Sequence, residues 1–375
     1  MTSGTYLEIS YGKLKHNLEL VKKHAGSKSL ICMVKDDAYG MGALNLSKVL
    51  ENDPMVNAFA VANLKEALEL KNSGIKKDII IIGHVDKTCY EEVIANNFIS
   101  TISTYDQAME LSEASKKLSK VARVEIAIDT GMGRIGFNVG DETIKSIKDI
   151  SLLSNIKIYG VFSHFSVSDC EKEDTENVQY TNNQELKFKT LTENLSNLGV
   201  DVGMTSLSSS AGIFKAIGMD FDAVRPGIIL YGIAPSTAFQ NLDLKPIMSL
   251  KSHIVHIKNI EPETSISYGR TFVSKDNMKI ATICCGYGDG YPRSASNKSS
   301  VIVNDKKCKI VGRITMDMLM VDVTDVDCKV DDEVILIGES NSEKITLDTL
   351  SEETGEFSYE LLTRINKRVD RIYID

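Results

Sequence analysis

The chain has 375 residues, a formal net charge of −9, 42% hydrophobic and 25% charged residues, 6 prolines and 25 glycines. That length accommodates one large and one smaller domain, each with its own core, and the composition excludes a disordered or fibrous chain. The acidic balance and the lack of a dense Lys/Arg block argue against a nucleic-acid partner, which needs a basic face, and leave a small molecule as the expected ligand.

Residues 1–13 run from polar to mixed without a basic start and an apolar centre, so they do not read as a signal peptide; Tyr6–Ile9 within them is strand-like. From about residue 28 to 230, short β-branched runs alternate with longer stretches of helical period. The predicted strands are Ser29–Lys35, Ala58–Ala62, Asp78–Gly83, Ser100–Thr104, Ala122–Asp129, Ile158–His164, Met204–Ser208 and Ala223–Leu230. Between them lie helical stretches such as Leu64–Ser73, Tyr105–Leu118 and Glu173–Leu198, whose apolar residues recur at three and four positions. This pattern predicts an α/β fold, a (β/α)8 TIM-like barrel with reactive groups at the C-terminal strand ends. After about Asn241 the pattern changes to Ile/Val-rich strands separated by turns: Ser252–Lys258, Lys279–Cys285, Ser300–Val303, Lys309–Arg313 and Glu333–Ile337. These predict a mainly β C-terminal domain. The expected division is a barrel over residues 11–240 and a β domain built from 1–10 together with 241–375.

The apolar runs are strand-sized and too short to span a bilayer, so no membrane partner and a cytoplasmic location are expected. The seven cysteines are odd in number, scattered and without a Cys-x-x-Cys pair. Buried free thiols are expected, with neither a disulfide framework nor a metal site.

The first chemically informative segment is Cys32-Met-Val-Lys-Asp-Asp-Ala-Tyr-Gly-Met-Gly42, in which Lys35 ends an apolar strand and Tyr39 follows in a Gly-bearing turn. A lysine past a strand end is equally a solvated surface group; among cationic or desolvating neighbours it loses basicity and can form a Schiff base. This segment resembles the pyridoxal phosphate (PLP) lysine signature of the alanine racemase family. Ile128-Asp-Thr-Gly-Met-Gly-Arg-Ile-Gly136, Val161-Phe-Ser-His-Phe165, Val224-Arg-Pro-Gly-Ile-Ile-Leu-Tyr-Gly232, Ser267-Tyr-Gly-Arg270, Gly286-Tyr-Gly-Asp-Gly290 and Gly312-Arg-Ile-Thr-Met-Asp317 follow in the family's order.

The resemblance implies a PLP-dependent amino-acid racemase whose Lys35 and Tyr268 act as bases on opposite faces of the substrate, Tyr268 coming from the second subunit of a homodimer. It places Arg225 against the PLP ring nitrogen, and Tyr39, Ser210, Tyr359 and the backbone N–H groups of Gly227 and Ile228 around the phosphate. Arg134 and the Met316 backbone would meet the substrate carboxylate, Asp317 would support that loop, and Tyr287 and Tyr291 would line the approach. A free phenol, with its ordinary pKa of about 10, is a poor base at neutral pH; positive neighbours are required, and His164 and Arg225 are the expected ones, His164 also as an orienting residue on the cofactor side of the site. The implied role is interconversion of L- and D-alanine, supplying D-alanine for peptidoglycan in a bacterial source.

Three positions depart from the family pattern. Ala127 stands where many members have a carbamylated lysine that holds the arginine matched by Arg134, so Arg134 is expected to be oriented by another anion, such as chloride, or by a nearby carboxylate. Ser206 replaces a common histidine, and Thr315 lies where cysteine is frequent. These departures leave room for a racemase of serine or a larger amino acid. A noncatalytic PLP-binding protein, a different class, would share the barrel and lysine, but such chains generally lack the β domain; a decarboxylase on the same fold fits the Tyr268 and Arg225 contexts less well.

Overall fold

The computed structural model describes residues 4–375. Its strands in chain order are β1 (Tyr6–Ser10), β2 (Ser29–Met33), β3 (Val56–Val61), β4 (Asp78–Ile81), β5 (Ile99–Ile102), β6 (Ala122–Asp129), β7 (Phe137–Asn138), β8 (Ile156–Phe162), β9 (Met204–Ser209) and β10 (Ala223–Arg225). Strands β2, β3, β4, β5, β6, β8, β9 and β10 pair in parallel, in that cyclic order, and β10 returns to β2, closing an eight-stranded barrel. The strands form here because their apolar residues are covered on both faces: Leu30, Ile31, Phe59, Val61, Ile80 and Val124 are all buried.

Helices link the strands, among them Ala43–Leu50, Leu64–Asn72, Tyr105–Leu118, Asp141–Ser151 and Thr175–Asn197. Several begin at side-chain caps. Asn63 accepts from the Glu66 N–H, Thr104 from that of Gln107, and Asp174 from that of Asn177. No helix of the described residues is long and apolar enough to cross a membrane.

Strands β11 (Met248–Ile260), β12 (Ser265–Ile266), β13 (Phe272–Val273), β14 (Met278–Ile283), β15 (Ser300–Val303), β16 (Lys306–Lys309), β17 (Leu319–Asp322), β18 (Glu333–Glu339), β19 (Lys344–Ile345) and β20 (Asp370–Ile374) follow. The main sheet has the order β16-β15-β18-β11-β1-β20, with β14 also on β11. β1 is antiparallel to β11 and parallel to β20. By compactness the chain forms one unit from Lys13–Ala38 and Ala43–Lys245, and a second from the residues up to Gly12, Tyr39–Gly42 and Pro246–Asp375.

Three strand expectations differ from the structure. The predicted Ala223–Leu230 strand stops at Arg225, because Pro226 has no N–H for the ladder, and Ile228–Tyr231 turns into a 3-10 helix. The predicted Lys309–Arg313 strand is instead β16, starting three residues earlier, directly after a tight hairpin turn in which Asn304 and Asp305 both have positive φ. The predicted Ser29–Lys35 strand ends at Met33. Strands β17 and β20 were not read from the sequence.

Candidate active site

Because the barrel strands are parallel, the residues that follow them gather at one end. Lys35 follows β2, Arg134 lies in the loop after β6, His164 is two residues past β8, Ser210 directly follows β9, and Arg225 ends β10. The chain leaves β2 in an unusual way: Asp36, Asp37, Ala38 and Tyr39 all have φ between 53° and 55°. Left-handed backbone costs an L-residue roughly 1–2 kcal/mol, so this turn needs external support. The carboxylate of Glu66 provides it, with Oε1 accepting the Asp36 N–H at 3.2 Å and Oε2 the Ala62 N–H at 2.8 Å. Asp37 Oδ1 accepts the Ala43 N–H at 2.8 Å on the far side.

Lys35, held in this turn, has its amine pushed below the ordinary lysine range, chiefly by desolvation and then by the positive charge of Arg134; Glu66 and Asp36 oppose the shift. A less basic lysine is available as a neutral amine nearer to physiological pH.

Arg225 is buried. Its Nη1 donates to Ser206 Oγ at 2.6 Å and its Nη2 to the carbonyls of Ser163 and of Leu207, the latter at 3.2 Å, while its guanidinium carbon sits 5.1 Å from the centre of the Phe162 ring. Burial lowers its pKa to about 10, with Arg134 adding and Glu125 opposing, so it stays protonated at neutral pH. Ser206, one of the departures from the family pattern, is thus a direct acceptor for this guanidinium.

The other Arg225 contact is from Nη2 to His164 Nδ1, at 3.4 Å. Desolvation, followed by the charges of Arg225, Arg134 and Lys35, takes His164 down to about 3. The imidazole is therefore neutral at physiological pH, which corrects the expectation that His164 supplies positive charge to the site; Arg225 alone of that pair does so. The buried amide of Gln184 braces this region, its Nε2 donating to the His164 carbonyl at 3.1 Å and to Thr130 Oγ1 at 3.3 Å.

Ser210 Oγ accepts the Gly227 N–H at 3.1 Å, which draws β9 and β10 together at the start of the Ile228–Tyr231 turn. Ser210, Gly227 and Ile228 therefore form one local group. Arg134 is exposed, in a loop organised by Asp129, whose Oδ1 accepts the N–H groups of Gly131 and Gly133 at 2.9 and 3.1 Å. No carboxylate of the described residues forms an ion pair with Arg134, which leaves the other expected partner, an anion such as chloride.

Within the C-terminal unit, Tyr39 meets Tyr359 edge-on with centroids 6.4 Å apart, and Phe357 stacks on Tyr359 at 4.7 Å. Tyr268 is 71% exposed on a short turn whose neighbours Ser267, Gly269 and Arg270 all have positive φ. Met316 is also exposed. Its carbonyl accepts the Gly288 N–H at 2.8 Å, and Arg368 ties the loop by donating to Asp317 at 2.9 Å and Asp289 at 2.8 Å. Thr315 closes the turn, its Oγ1 donating to the Met318 carbonyl at 2.8 Å and accepting the Met318 N–H at 3.1 Å. Tyr287 is exposed, but Tyr291 is 1% exposed. Tyr291 is thus a core residue and lines no approach. Glu66, Glu125, Ser163 and Gln184 were missed by sequence reasoning. Only Glu66 had a signal, the Asn63-x-x-Glu66 capping pattern.

A closed parallel barrel with its charged and nucleophilic groups gathered at the C-terminal strand ends places the chain among the barrel enzymes. Comparison with known proteins narrows the class. The family profile for the alanine racemase N-terminal domain matches residues 9–235, and that for the alanine racemase C-terminal domain matches residues 247–373. An alanine racemase of Clostridium novyi (strain NT) is 43% identical over 374 residues, 98% of this chain and 95% of the relative. The solved alanine racemase of Clostridium difficile 630 superposes with a TM-score of 0.94 at 35% identity, over 100% of this chain and 96% of that one. That of Bartonella henselae with covalently bound pyridoxal phosphate gives 0.87 at 28% identity over 100% of both chains. The chain belongs to the alanine racemase family of isomerases. These relatives favour neither the serine reading nor the noncatalytic one.

Proposed function

We propose that this protein interconverts L- and D-alanine with pyridoxal 5'-phosphate as cofactor, as a cytoplasmic homodimer in which Lys35 of one subunit and Tyr268 of the other act on opposite faces of the substrate. The observation that carries the reading is the lowered Lys35 amine, set in a braced turn at the barrel end beside Arg134. The donor set fits the cofactor. Lys35 offers an amine of reduced basicity, Arg225 a guanidinium that can only donate, and Ser210, Gly227 and Ile228 a hydroxyl and backbone N–H groups suited to a phosphate. Tyr39 and Tyr359 add phenol hydroxyls, and His164 lies against Arg225.

When bound, the cofactor supplies the electron sink that acidifies the substrate α-carbon. Arg225 would restrain that sink: as a group that can only donate, it would leave the ring nitrogen it held unprotonated, which would disfavour diversion into transamination. Neutral His164 can accept from Arg225 and adds no competing positive charge. Lys35 Nζ takes or returns the α-proton on one face and Tyr268 Oη does so on the other, which inverts the centre. Arg134 and the Met316 N–H of the partner loop hold the substrate carboxylate, with Asp317 supporting that loop and Tyr287 at its edge. The β domain, residues 1–10 with 241–375, is thereby assigned to the neighbouring subunit's site and the barrel, residues 11–240, to the cofactor.

Incubating the loaded enzyme with separate L-amino acids in deuterated water tests the activity: D-alanine with α-deuterium is expected. Tyr268→Phe should lower turnover in both directions by about 100-fold or more. Full turnover by that variant would end the two-base reading.

A further inference from the structure

The barrel interior is unusually polar. Arg123 on β6 forms a two-pronged pair with Asp78 on β4, Nη1 to Oδ1 at 2.7 Å and Nη2 to Oδ2 at 2.5 Å. Tyr159 on β8 donates to Asn57 of the β3 strand at 2.8 Å. Neither strand pair is adjacent in the ring, so both contacts cross the interior. Successive residues of a strand point to opposite faces, so Glu125 and Ala127 share the inward face with Arg123. TIM-type barrels ordinarily fill such layers with branched apolar side chains.

Glu125 is 2% exposed, and its Oε2 has no hydrogen-bond partner among the described residues. Its register neighbours are Thr101 on β5, whose Oγ1 is also buried without a partner, and Gly160 on β8, which has no side chain to offer. The charged or titratable groups it faces are Arg225 from β10 and Tyr159 from β8, with Arg123 one layer below on its own strand. An unpaired carboxylate at this depth would be strongly disfavoured without a nearby cation. Arg225 is the cation that acts on it, and it acts on Arg225 in return. Ala127, one step up the same face, adds no charge of its own on β6 above Glu125.

We propose that Glu125 is a positioning residue that acts through Arg225: it is the interior counter-charge that sets how much of the guanidinium's positive charge reaches the cofactor end of the barrel. The inference rests on the reading that Arg225 serves the cofactor ring. In the protonated state Glu125 leaves the Arg225 charge uncompensated; in the ionised state it partly cancels it. Burial raises the carboxyl to about 7, against the opposing pull of Arg225, so both states are accessible near neutrality. Glu125→Gln locks in the uncompensated state at every pH.

Two measurements test this. In the cofactor-free, full-length protein carrying isotopically labelled glutamate, infrared titration of the wild type should show a protonated carboxyl band that persists above pH 5 and fades near neutrality. The band should be absent from Glu125→Gln and displaced to higher pH in Arg225→Met. In the loaded enzyme, the ratio of kcat at high pH to kcat at low pH should differ by about threefold or more between wild type and Glu125→Gln, with KM for alanine little changed. If no protonated band survives above pH 5 in the wild type, or if the two kcat profiles superimpose, the proposal is overturned. The infrared result needs neither cofactor nor folding of a variant in its wild-type arm, so a protein that titrates as expected but lacks racemase activity would refute the functional reading alone.

Discussion

Replacing Glu66 by glutamine probes the turn that carries Lys35. The carboxylate accepts two backbone N–H groups, of Asp36 at 3.2 Å and of Ala62 at 2.8 Å. Glutamine has a single acceptor oxygen, so one of these donors would face an NH2 group instead. A hydrogen bond to a charged acceptor contributes roughly 1.5–3 kcal/mol. Because Glu66 is half-buried, the lower part of that range applies, and a loss of about 2 kcal/mol is expected. The four left-handed residues store roughly 4–8 kcal/mol of strain, so the same loss should let the turn relax and displace Lys35. Urea unfolding of the cofactor-free protein measures the first effect, and kcat, expected to fall about tenfold, measures the second. The neighbouring exposed Lys65→Gln serves as the control. If Glu66→Gln unfolds within about 0.5 kcal/mol of the wild type and turns over normally, the brace does not hold the turn.

The imidazole of His164 is held neutral with its pKa at about 3 in the fold, against an ordinary 6.5. The unfolded chain binds that proton first as pH falls, so the contribution is present above 6.5 and is lost between about 6.5 and 3; His164→Gln should flatten this acid limb in unfolding free energy measured against pH. Arg225→Lys removes donors from Ser206 Oγ and the Ser163 and Leu207 carbonyls, and should cost about 3 kcal/mol by chemical denaturation despite the retained charge; an unchanged midpoint would show that those acceptors find other donors. Arg368→Ala breaks an exposed pair to Asp317 and a half-exposed one to the more buried Asp289, so thermal stability should fall by about 1 kcal/mol. It also frees the Met316 loop, so KM for alanine should rise several-fold while kcat holds. A fall in kcat at constant KM would contradict the carboxylate role given to that loop.

The sequence by itself determined the alternation of strands and helices, the change to β texture after the barrel, and the family motifs around Lys35, Arg134, Arg225 and Tyr268. These signals are local: side-chain period and turn residues are written in short windows of sequence. It did not reveal that Tyr291 is a core ring, that the residues after Lys35 are left-handed without a glycine among them, or that β20 joins β1 across nearly the whole chain. Nor could it show that His164 is neutral or that Glu125 lies in the barrel interior under the influence of Arg225. Those properties arise from desolvation and from charges brought close by strands distant in sequence. Only closing the ring of eight strands puts the groups within reach of one another and removes the water that would otherwise screen them.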